Sequence, residues 1–262
     1  MVNLPRSMFY YQSKKDDTEL IDKLNELAEK LPNRGLDEYY GRLRGQGHGW
    51  NRKRVLRVYR ELNLQMRRKR KRRLPSRIKE PLNQPETINH TWSMDFMHDV
   101  LDSGRKVRIL NIIDDYNREA LAVEAAYSHN SYSVIEQLEI IMITRDKPQR
   151  IRVDNGPEFI SHRLRQWCTT QGIVLSFIQP GRPMQNAYIE RFNRLYREDI
   201  LDAYIFESID QLRVLSRNWQ DDYNRNHPHK SLGGLSPLKF AINSGKLSEF
   251  TTINSENVVK NI

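Results

Sequence analysis

The chain has 262 residues, and its 43 Lys and Arg against 33 Asp and Glu give a formal net charge of +10 at pH 7. Hydrophobic residues make up 38% of it, which suffices for a packed core. The single cysteine, Cys168, excludes a disulfide framework within the chain and favours a reducing cytoplasm. No stretch reaches the ~18 apolar residues of a membrane span, and the first residues lack the apolar core of a secretory signal. We therefore expect a soluble, cytoplasmic protein.

The positive charge is concentrated in the first third of the chain. Residues 1–75 hold 20 Lys and Arg against 9 Asp and Glu, whereas the remainder holds 23 against 24. Such an excess is what a polyanionic partner such as DNA demands, although a basic solubilising tail would show it as well.

The first third also has the outline of a small helical domain. Leucines at helical spacing predict a helix over 17–31, capped by Asp16 or Asp17, and a second helix covers about 36–45. A glycine-rich turn at 45–49 precedes a third helix, which has Asn51 as its N-cap and one basic side. This order is typical of a helix-turn-helix DNA reader, and a solvated basic helix without groove contact is the alternative.

Seven consecutive basic residues, RRKRKRR, occupy 67–73 and are followed by Pro75, Pro81 and Pro85. Like charges at this density stay extended unless phosphates neutralise them, so we interpret the run as a DNA-tracking linker rather than a plain solubilising one. The prolines mark a domain boundary. The predicted domains are a helical DNA-binding region 1–75, a linker 76–90, a catalytic core with a helical extension 91–245, and a tail 246–262.

From about residue 91 the pattern changes to alternating strands and helices, which is typical of an α/β fold with a mixed sheet. Residues 91–97 alternate with a period of two, so Trp92 and Met94 face away from Asp95. The expected strands are 91–97, 107–113, 120–125, 150–153 and 173–178, and the expected helices are 133–144, 159–171 and a long one from about 186.

Three carboxylates stand at positions suited to metal chemistry. Asp95 lies within a strand, Asp154 follows a strand, and Glu190 lies in the first turns of a helix. Carboxylate oxygens are the ligands that Mg²⁺ prefers, and two such metals can clamp the attacking and leaving oxygens of a phosphoryl displacement. Three further acids near strand ends are alternative ligands: Asp99, Asp114 and Asp115.

Four separated motifs occur in an order that resembles the integrase-like transposases of the "insertion sequence three" family of bacteria. They are Trp92–Phe96, Val153–Phe159, Gln179–Asn193, and a late group from Tyr223 to Pro237. The resemblance, which covers about residues 30–240, implies a ribonuclease-H-like core as in retroviral integrases. It also implies an Asp95–Asp154–Glu190 metal triad that binds Mg²⁺ or Mn²⁺, with two ions per site.

The resemblance implies further that Arg197, two helical turns after Glu190, contacts DNA. Asn155 and Gly156 are expected to shape the turn that aims Asp154, and Gly156 would supply a backbone angle closed to other residues. Gln185 and Asn186 either contact DNA or cap the helix that bears Glu190. The predicted DNA contacts are Arg52, Lys53, Arg57, Arg60, Arg67, Arg68, Arg194 and Arg197.

The sequence thus predicts DNA cleavage at element ends followed by strand transfer into double-stranded target DNA. We expect a homo-multimer on DNA, association with the nucleoid, and fusion to or partnership with the product of an upstream frame. Cys168, His227 and His229 match no known zinc-finger spacing. A non-catalytic DNA-binding regulator and a nuclease acting on RNA–DNA hybrids are the alternatives.

Overall fold

The computed structural model describes residues 16–66, 84–179 and 183–246. It divides into two compact units, residues 1–69 and residues 70–262. The basic run 67–73, with Arg67 and Arg68, lies outside the described residues, as do 76–83 of the predicted linker and 247–262 of the predicted tail.

The first unit contains three helices where the leucine spacing and the basic pattern predict them. They are α1 (Thr18–Lys30), α2 (Leu36–Gly45) and α3 (Arg52–Glu61). Their apolar sides form one core around Leu20, Leu24 and Val58, all fully buried. The Asn51 side chain accepts a hydrogen bond from the Lys53 backbone N–H, which confirms Asn51 as the N-cap of α3.

The two candidate caps of α1 differ in what they bind. Asp16 accepts from the Thr18 backbone N–H at 3.0 Å, whereas Asp17 stands at the N-cap position and makes no capping bond with its side chain. The Asp17 carboxylate instead forms ion pairs with Arg54 and Arg57 on α3. These pairs hold down the pKa of Asp17 and tie α1 to α3.

The second unit is built on a five-stranded mixed sheet, as predicted. Along the chain the strands are β1 (Thr91–Val100), β2 (Lys106–Asp114), β3 (Ala120–Ala126), β4 (Arg150–Val153) and β5 (Val174–Phe177). Their order in the sheet is β3-β2-β1-β4-β5. The first three strands along the chain are antiparallel neighbours, β4 lies parallel beside β1, and β5 lies parallel beside β4.

Two separate cores cover the two faces of this sheet. The helices of this unit are α4 (Ser131–Thr144), α5 (Pro157–Ile160), α6 (His162–Gln171), α7 (Ala187–Tyr196), α8 (Ile209–Asn226) and α9 (Pro237–Asn243). Trp92 and Met94 pack with α4 and α6, whereas Met97 and Ile109 pack with α7 and α8. The predicted period-two alternation of β1 is therefore confirmed, and Asp95 lies on the α7 side. No helix in the described ranges is long and apolar enough to span a membrane.

Two helices differ from their predicted extents. The expected helix over 159–171 is two helices, because Ser161 adopts φ −55° and ψ 139° and its hydroxyl caps α6 through the Leu164 N–H. The helix expected from about 186 runs as α7 and then widens into a π-helical turn, Arg197–Leu201.

Asp114, at the end of β2, joins the start of β1 to the turn before β3. Its two carboxylate oxygens accept from the backbone N–H groups of Asn89 and Tyr116, at 2.7 and 2.8 Å. Asn89 itself adopts φ 57°, which an asparagine tolerates. Burial raises the pKa of Asp114 to about 7, against the pull of these two donors.

We predict that Asp114→Ala lowers the free energy of unfolding by about 2–4 kcal/mol, because it leaves two buried N–H donors without an acceptor. Urea denaturation measures the loss. Asp102→Ala, which removes an exposed carboxylate from the turn between β1 and β2, is the control and is expected to change stability by less than about 0.5 kcal/mol. Equal effects of the two substitutions would contradict the prediction.

Asp114 also predicts a pH dependence of stability. Its pKa rises from 3.8 to about 7 on folding, so its contribution is fully present below pH 3.8 and is lost as the pH rises through about 7. The unfolding free energy of the wild type relative to Asp114→Asn should therefore fall between pH 4 and 7, by up to ~1.4 kcal/mol per pH unit. Urea titrations at pH 5, 6, 7 and 8 measure it, and a pH-independent difference would refute it.

Candidate active site

Asp95 lies in the middle of β1 and is half-buried on the face that α7 covers. One carboxylate oxygen accepts from the Phe96 backbone N–H at 2.8 Å. The other accepts from the side-chain amide of Asn193, on α7, also at 2.8 Å. The carboxylate is thus anchored on both oxygens while remaining partly open to solvent.

Asp154 directly follows β4, the parallel neighbour of β1. Ser93 is in register with Arg152, so the same register continued by two residues places Asp154 beside Asp95. One Asp154 oxygen accepts from the Gly156 backbone N–H at 2.9 Å, which forms an Asx turn. The sheet pairing therefore brings the first two predicted acids together.

The two supporting residues act differently from one another. Asn155 donates its side-chain amide to the Ile178 carbonyl at 3.3 Å and so fastens the loop to the end of β5. Gly156 has φ −62°, so the prediction that it supplies an unusual backbone angle is wrong. A Cβ at Gly156 would instead lie 3.0 Å from an Asp154 carboxylate oxygen, so close approach to that carboxylate is the reason for glycine here.

Glu190 lies in the first turn of α7 and is exposed. The opposite side of this amphipathic helix, which includes Ile189 and Phe192, is buried against the sheet. A carboxylate near a helix N-terminus is also favoured by the helix dipole. α7 therefore holds Glu190 at the surface of the face on which Asp95 lies.

The three acids interact electrostatically. The pKa of Asp95 is raised to about 6, first by burial and then by the negative charges of Asp154 and Glu190; the Phe96 N–H and the Asn193 amide oppose the shift. Within the ranges that the structure describes, no three His, Cys, Asp or Glu side chains are close enough together to hold a metal ion. The donor set nevertheless fits a hard divalent cation, since it consists of carboxylate oxygens whose mutual repulsion a cation would relieve.

The alternative acids are engaged elsewhere. Asp114 accepts two backbone N–H groups, and Asp115 is fully buried in an ion pair with Arg152 at 2.6 Å. Asp99, four residues after Asp95 on β1, accepts from the following Val100 N–H. Asp114 and Asp115 therefore serve the fold.

Two predicted DNA contacts follow Glu190 on the same helix. Arg194, one turn later, is exposed. Arg197 still bonds through its backbone N–H to the Asn193 carbonyl, so the helical path from Glu190 is continuous up to this point. Its guanidinium donates to the His98 carbonyl of β1 at 3.1 Å and lies 3.7 Å from the Asp202 carboxylate. The Arg197 side chain remains partly exposed.

Within the part of the chain that the structure describes, the predicted DNA-contacting residues on α3 divide into two that form salt bridges and two that do not. Arg52 pairs with Asp37, and Arg57 pairs with Asp17 and Glu61. Among the described residues, no salt bridge forms at the two remaining cations, Lys53 and Arg60, which are exposed and seven residues apart. That spacing places them on one side of the helix.

Of the two roles predicted for Gln185 and Asn186, DNA contact and capping of α7, the structure tests the capping role. Asn186 stands at the N-cap of α7 but makes no capping bond, and it is 3% exposed. Gln185 accepts from the Gln179 backbone N–H at 2.9 Å. The capping prediction is therefore wrong for Asn186.

The histidines and the cysteine lie in different cores. Cys168 is buried beneath α4, where burial raises its pKa to about 11. His227 and His229 have ring centroids 4.6 Å apart beside Tyr223 of α8.

One site residue was missed from the sequence. Asn193 binds the Asp95 carboxylate, and its own amide oxygen accepts from Asn111 at 2.7 Å. An asparagine in the middle of the apolar run of β2 was the available signal, because a buried strand rarely holds an unpaired amide.

Comparison with known proteins places this chain in a family. Two family models described as "Integrase core domain" match residues 85–183 and 171–237. A protein of insertion element IS407 from Burkholderia multivorans is 36% identical over 243 residues, which cover 92% of this chain and 88% of that protein. The transposase InsD of insertion element IS2D from Escherichia coli K12 is 23% identical, over 86% of this chain and 79% of its own length.

Among solved structures, the simian T-cell lymphotropic virus intasome in complex with a PP2A regulatory subunit matches with a TM-score of 0.50 and 16% identity. The match covers 74% of this chain and 68% of that chain, and it supports the ribonuclease-H-like fold of retroviral integrases. The chain therefore belongs to the insertion-element transposases that carry an integrase core domain.

Proposed function

We propose that this transposase cuts DNA at the ends of its insertion element and joins the freed 3′-hydroxyl to a phosphodiester of target DNA. The observation that supports it best is the grouping of the three acids: the β1–β4 register places Asp154 beside Asp95, and the charges of Asp154 and Glu190 both act on the Asp95 carboxylate. Membership of the family supports the assignment to transposition, and the three acids support metal-dependent cleavage and joining of DNA.

The three carboxylates would hold divalent cations, Mg²⁺ or Mn²⁺, with two per site. Bound there, the cations would supply charge neutralisation at the attacked phosphate and at the attacking and leaving oxygens. The protein's own part is to fix the donors: two strands hold Asp95 and Asp154 side by side, and α7 presents Glu190. Positioning of this kind needs no covalent enzyme intermediate.

Double-stranded DNA binding rests on the exposed cations. Arg194 on α7 and Arg197, the first residue of the π-helical turn, follow Glu190 and would contact the DNA strand near the reacting phosphate. In the first unit, Lys53 and Arg60 on α3 are the cations best placed to meet phosphates, because Arg52 and Arg57 already pair with acids.

The assembly state follows from the reaction. Joining requires two element ends to be held together, so we propose a homo-multimer on DNA. Fusion to the product of an upstream frame, which would add further end recognition, also belongs to this proposal.

We predict that Asp95→Asn, Asp154→Asn and Glu190→Gln each reduce cleavage and joining by at least ~100-fold while leaving DNA binding intact. Each variant removes one carboxylate from the set that would hold the cations, with little change of shape. Labelled element-end DNA with Mg²⁺ or Mn²⁺, resolved on denaturing gels, measures both steps, and gel shift measures binding.

Asp99→Asn is the matched control, since it lies on the same strand and is expected to keep wild-type activity. Loss of activity in Asp99→Asn with retention in Asp95→Asn would move the site to the alternative acid. Wild-type protein that binds DNA, by itself and fused to its upstream product, yet never cuts it would favour the non-catalytic regulator. Cleavage of RNA–DNA hybrids in preference to element ends would favour the nuclease.

We predict that Lys53→Ala and Arg60→Ala each weaken DNA binding and each reduce the slope of log affinity against log salt by about 0.9, the value for one lost phosphate contact. Fluorescence anisotropy at several salt concentrations measures it. Lys23→Ala is the control, because Lys23 lies on α1 in an ion pair with Glu26 and is expected to leave the slope unchanged. An unchanged slope for both α3 variants would remove this helix face from the DNA interface.

A further inference from the structure

A chain of side-chain hydrogen bonds runs from β2 to the Asp95 carboxylate. The amide of Asn111 donates to the oxygen of Asn193 at 2.7 Å, and the amide of Asn193 donates to Asp95 at 2.8 Å. Asn111 is fully buried and Asn193 is 9% exposed. These hydrogen bonds therefore connect β2, α7 and the Asp95 carboxylate through two largely buried amides.

The chemistry of the partners fixes the orientation of both amides. An ionised carboxylate only accepts, so Asn193 must turn its NH₂ group toward Asp95 and its oxygen away from it. That oxygen then needs a donor, which the Asn111 NH₂ group supplies. Asn111 lies directly opposite Asp95 in the β1–β2 register, so the three side chains share one face of the sheet.

This arrangement has a cost that packing alone does not explain. The Asn111 oxygen is buried and has no hydrogen-bond partner among the residues that the structure describes. A buried polar atom left in this way destabilises the fold, and a leucine at the same place in β2 would avoid that cost. A group retained at such a cost calls for a reason beyond stability.

We propose that Asn193 is a positioning residue, supported by Asn111, that holds the Asp95 carboxylate in register with the helix bearing Glu190. Asn193 lies three residues after Glu190, close to one helical turn, so the bond to Asp95 links two of the three acids through the backbone of α7. This inference rests on the proposed function, because it assigns Asn193 to the orientation of a metal-binding carboxylate.

The role resembles that of an outer partner of a metal ligand. Hydrogen bonds that orient a ligand's oxygen atoms typically change metal affinity by 10–100-fold when removed. Without the Asn193 donor, one Asp95 oxygen would lose its anchor and the carboxylate could turn away from Asp154 and Glu190. Without Asn111, Asn193 would keep its bond to Asp95 and lose only the hydrogen bond to its own amide oxygen. We therefore expect a smaller effect on metal affinity.

The test uses the full chain with Mn²⁺ as the probe. Electron paramagnetic resonance of free Mn²⁺ gives the binding affinity, and element-end cleavage is measured over a Mn²⁺ titration. The variants are Asn193→Ala, Asn193→Leu, which nearly preserves the side-chain volume, and Asn111→Leu. Ser216→Ala is the control, because it breaks a buried bond from another α7 residue, Tyr196, away from the acids.

We expect both Asn193 variants to bind Mn²⁺ at least ~10-fold more weakly and to need correspondingly more Mn²⁺ for cleavage, with a smaller loss for Asn111→Leu. The double variant Asp95→Asn with Asn193→Leu should bind Mn²⁺ no more weakly than Asp95→Asn alone, because the carboxylate that Asn193 orients is already absent. Ser216→Ala should bind Mn²⁺ as tightly as the wild type does, even if its melting temperature falls as far as those of the Asn193 variants.

Three outcomes would overturn the inference. Wild-type Mn²⁺ affinity in folded Asn193→Leu, with binding lost in Asp95→Asn, would reject the positioning role and leave the proposed function standing. Equal losses in Asn193→Leu and Ser216→Ala would show a merely structural role. Retention of both Mn²⁺ binding and cleavage in Asp95→Asn would overturn the metal site and this inference together.

Discussion

The site depends on keeping a half-buried carboxylate beside two others. Burial and the like charges of Asp154 and Glu190 raise the pKa of Asp95 to about 6, so the ionised form is disfavoured by its surroundings. Two donors, the Phe96 N–H and the Asn193 amide, offset part of this cost. A divalent cation would offset the rest. The strand order of the sheet and the docking of α7 both serve this grouping, because each brings one acid to the edge of a packed core.

Most of the fold was predictable because its signals are local. The period of two in β1, the apolar runs of β2 and β3, and the N-cap at Asn51 each depend on residues within a few positions. The prediction failed where one residue changes the backbone inside a continuous pattern. Ser161 splits the expected helix because its hydroxyl caps α6, while the apolar spacing on either side reads as one helix. Gly156 was assigned an unusual backbone angle, whereas the space beside Asp154 is what excludes a side chain.

The order of motifs in the sequence predicts the three candidate acids, but it does not predict which side chains surround them. Asn193 is 98 residues from Asp95 along the chain and 82 from Asn111, and no spacing rule connects such partners. The structural roles of Asp114 and Asp115 could not be predicted for the same reason. Asp114 ends β2 and Asp115 follows it, as a ligand would, yet Asp114 accepts from backbone N–H groups and Asp115 pairs with Arg152. Sequence reasoning finds candidate acids, and tertiary pairing decides between the ligands and the structural ones.

The same distinction applies to the basic N-terminal region. Its charge excess suggests that every cation of α3 faces DNA, but Arg54 and Arg57 are held by Asp17 and fasten α3 to α1. A cation in such a pair keeps its charge and loses its freedom to meet a phosphate, so it contributes to the local potential more than to contact. Lys53 and Arg60 keep that freedom on one side of the helix. Net charge therefore predicts that the region attracts DNA, and under the proposed function the ion pairs leave the side of α3 that bears Lys53 and Arg60 to meet it.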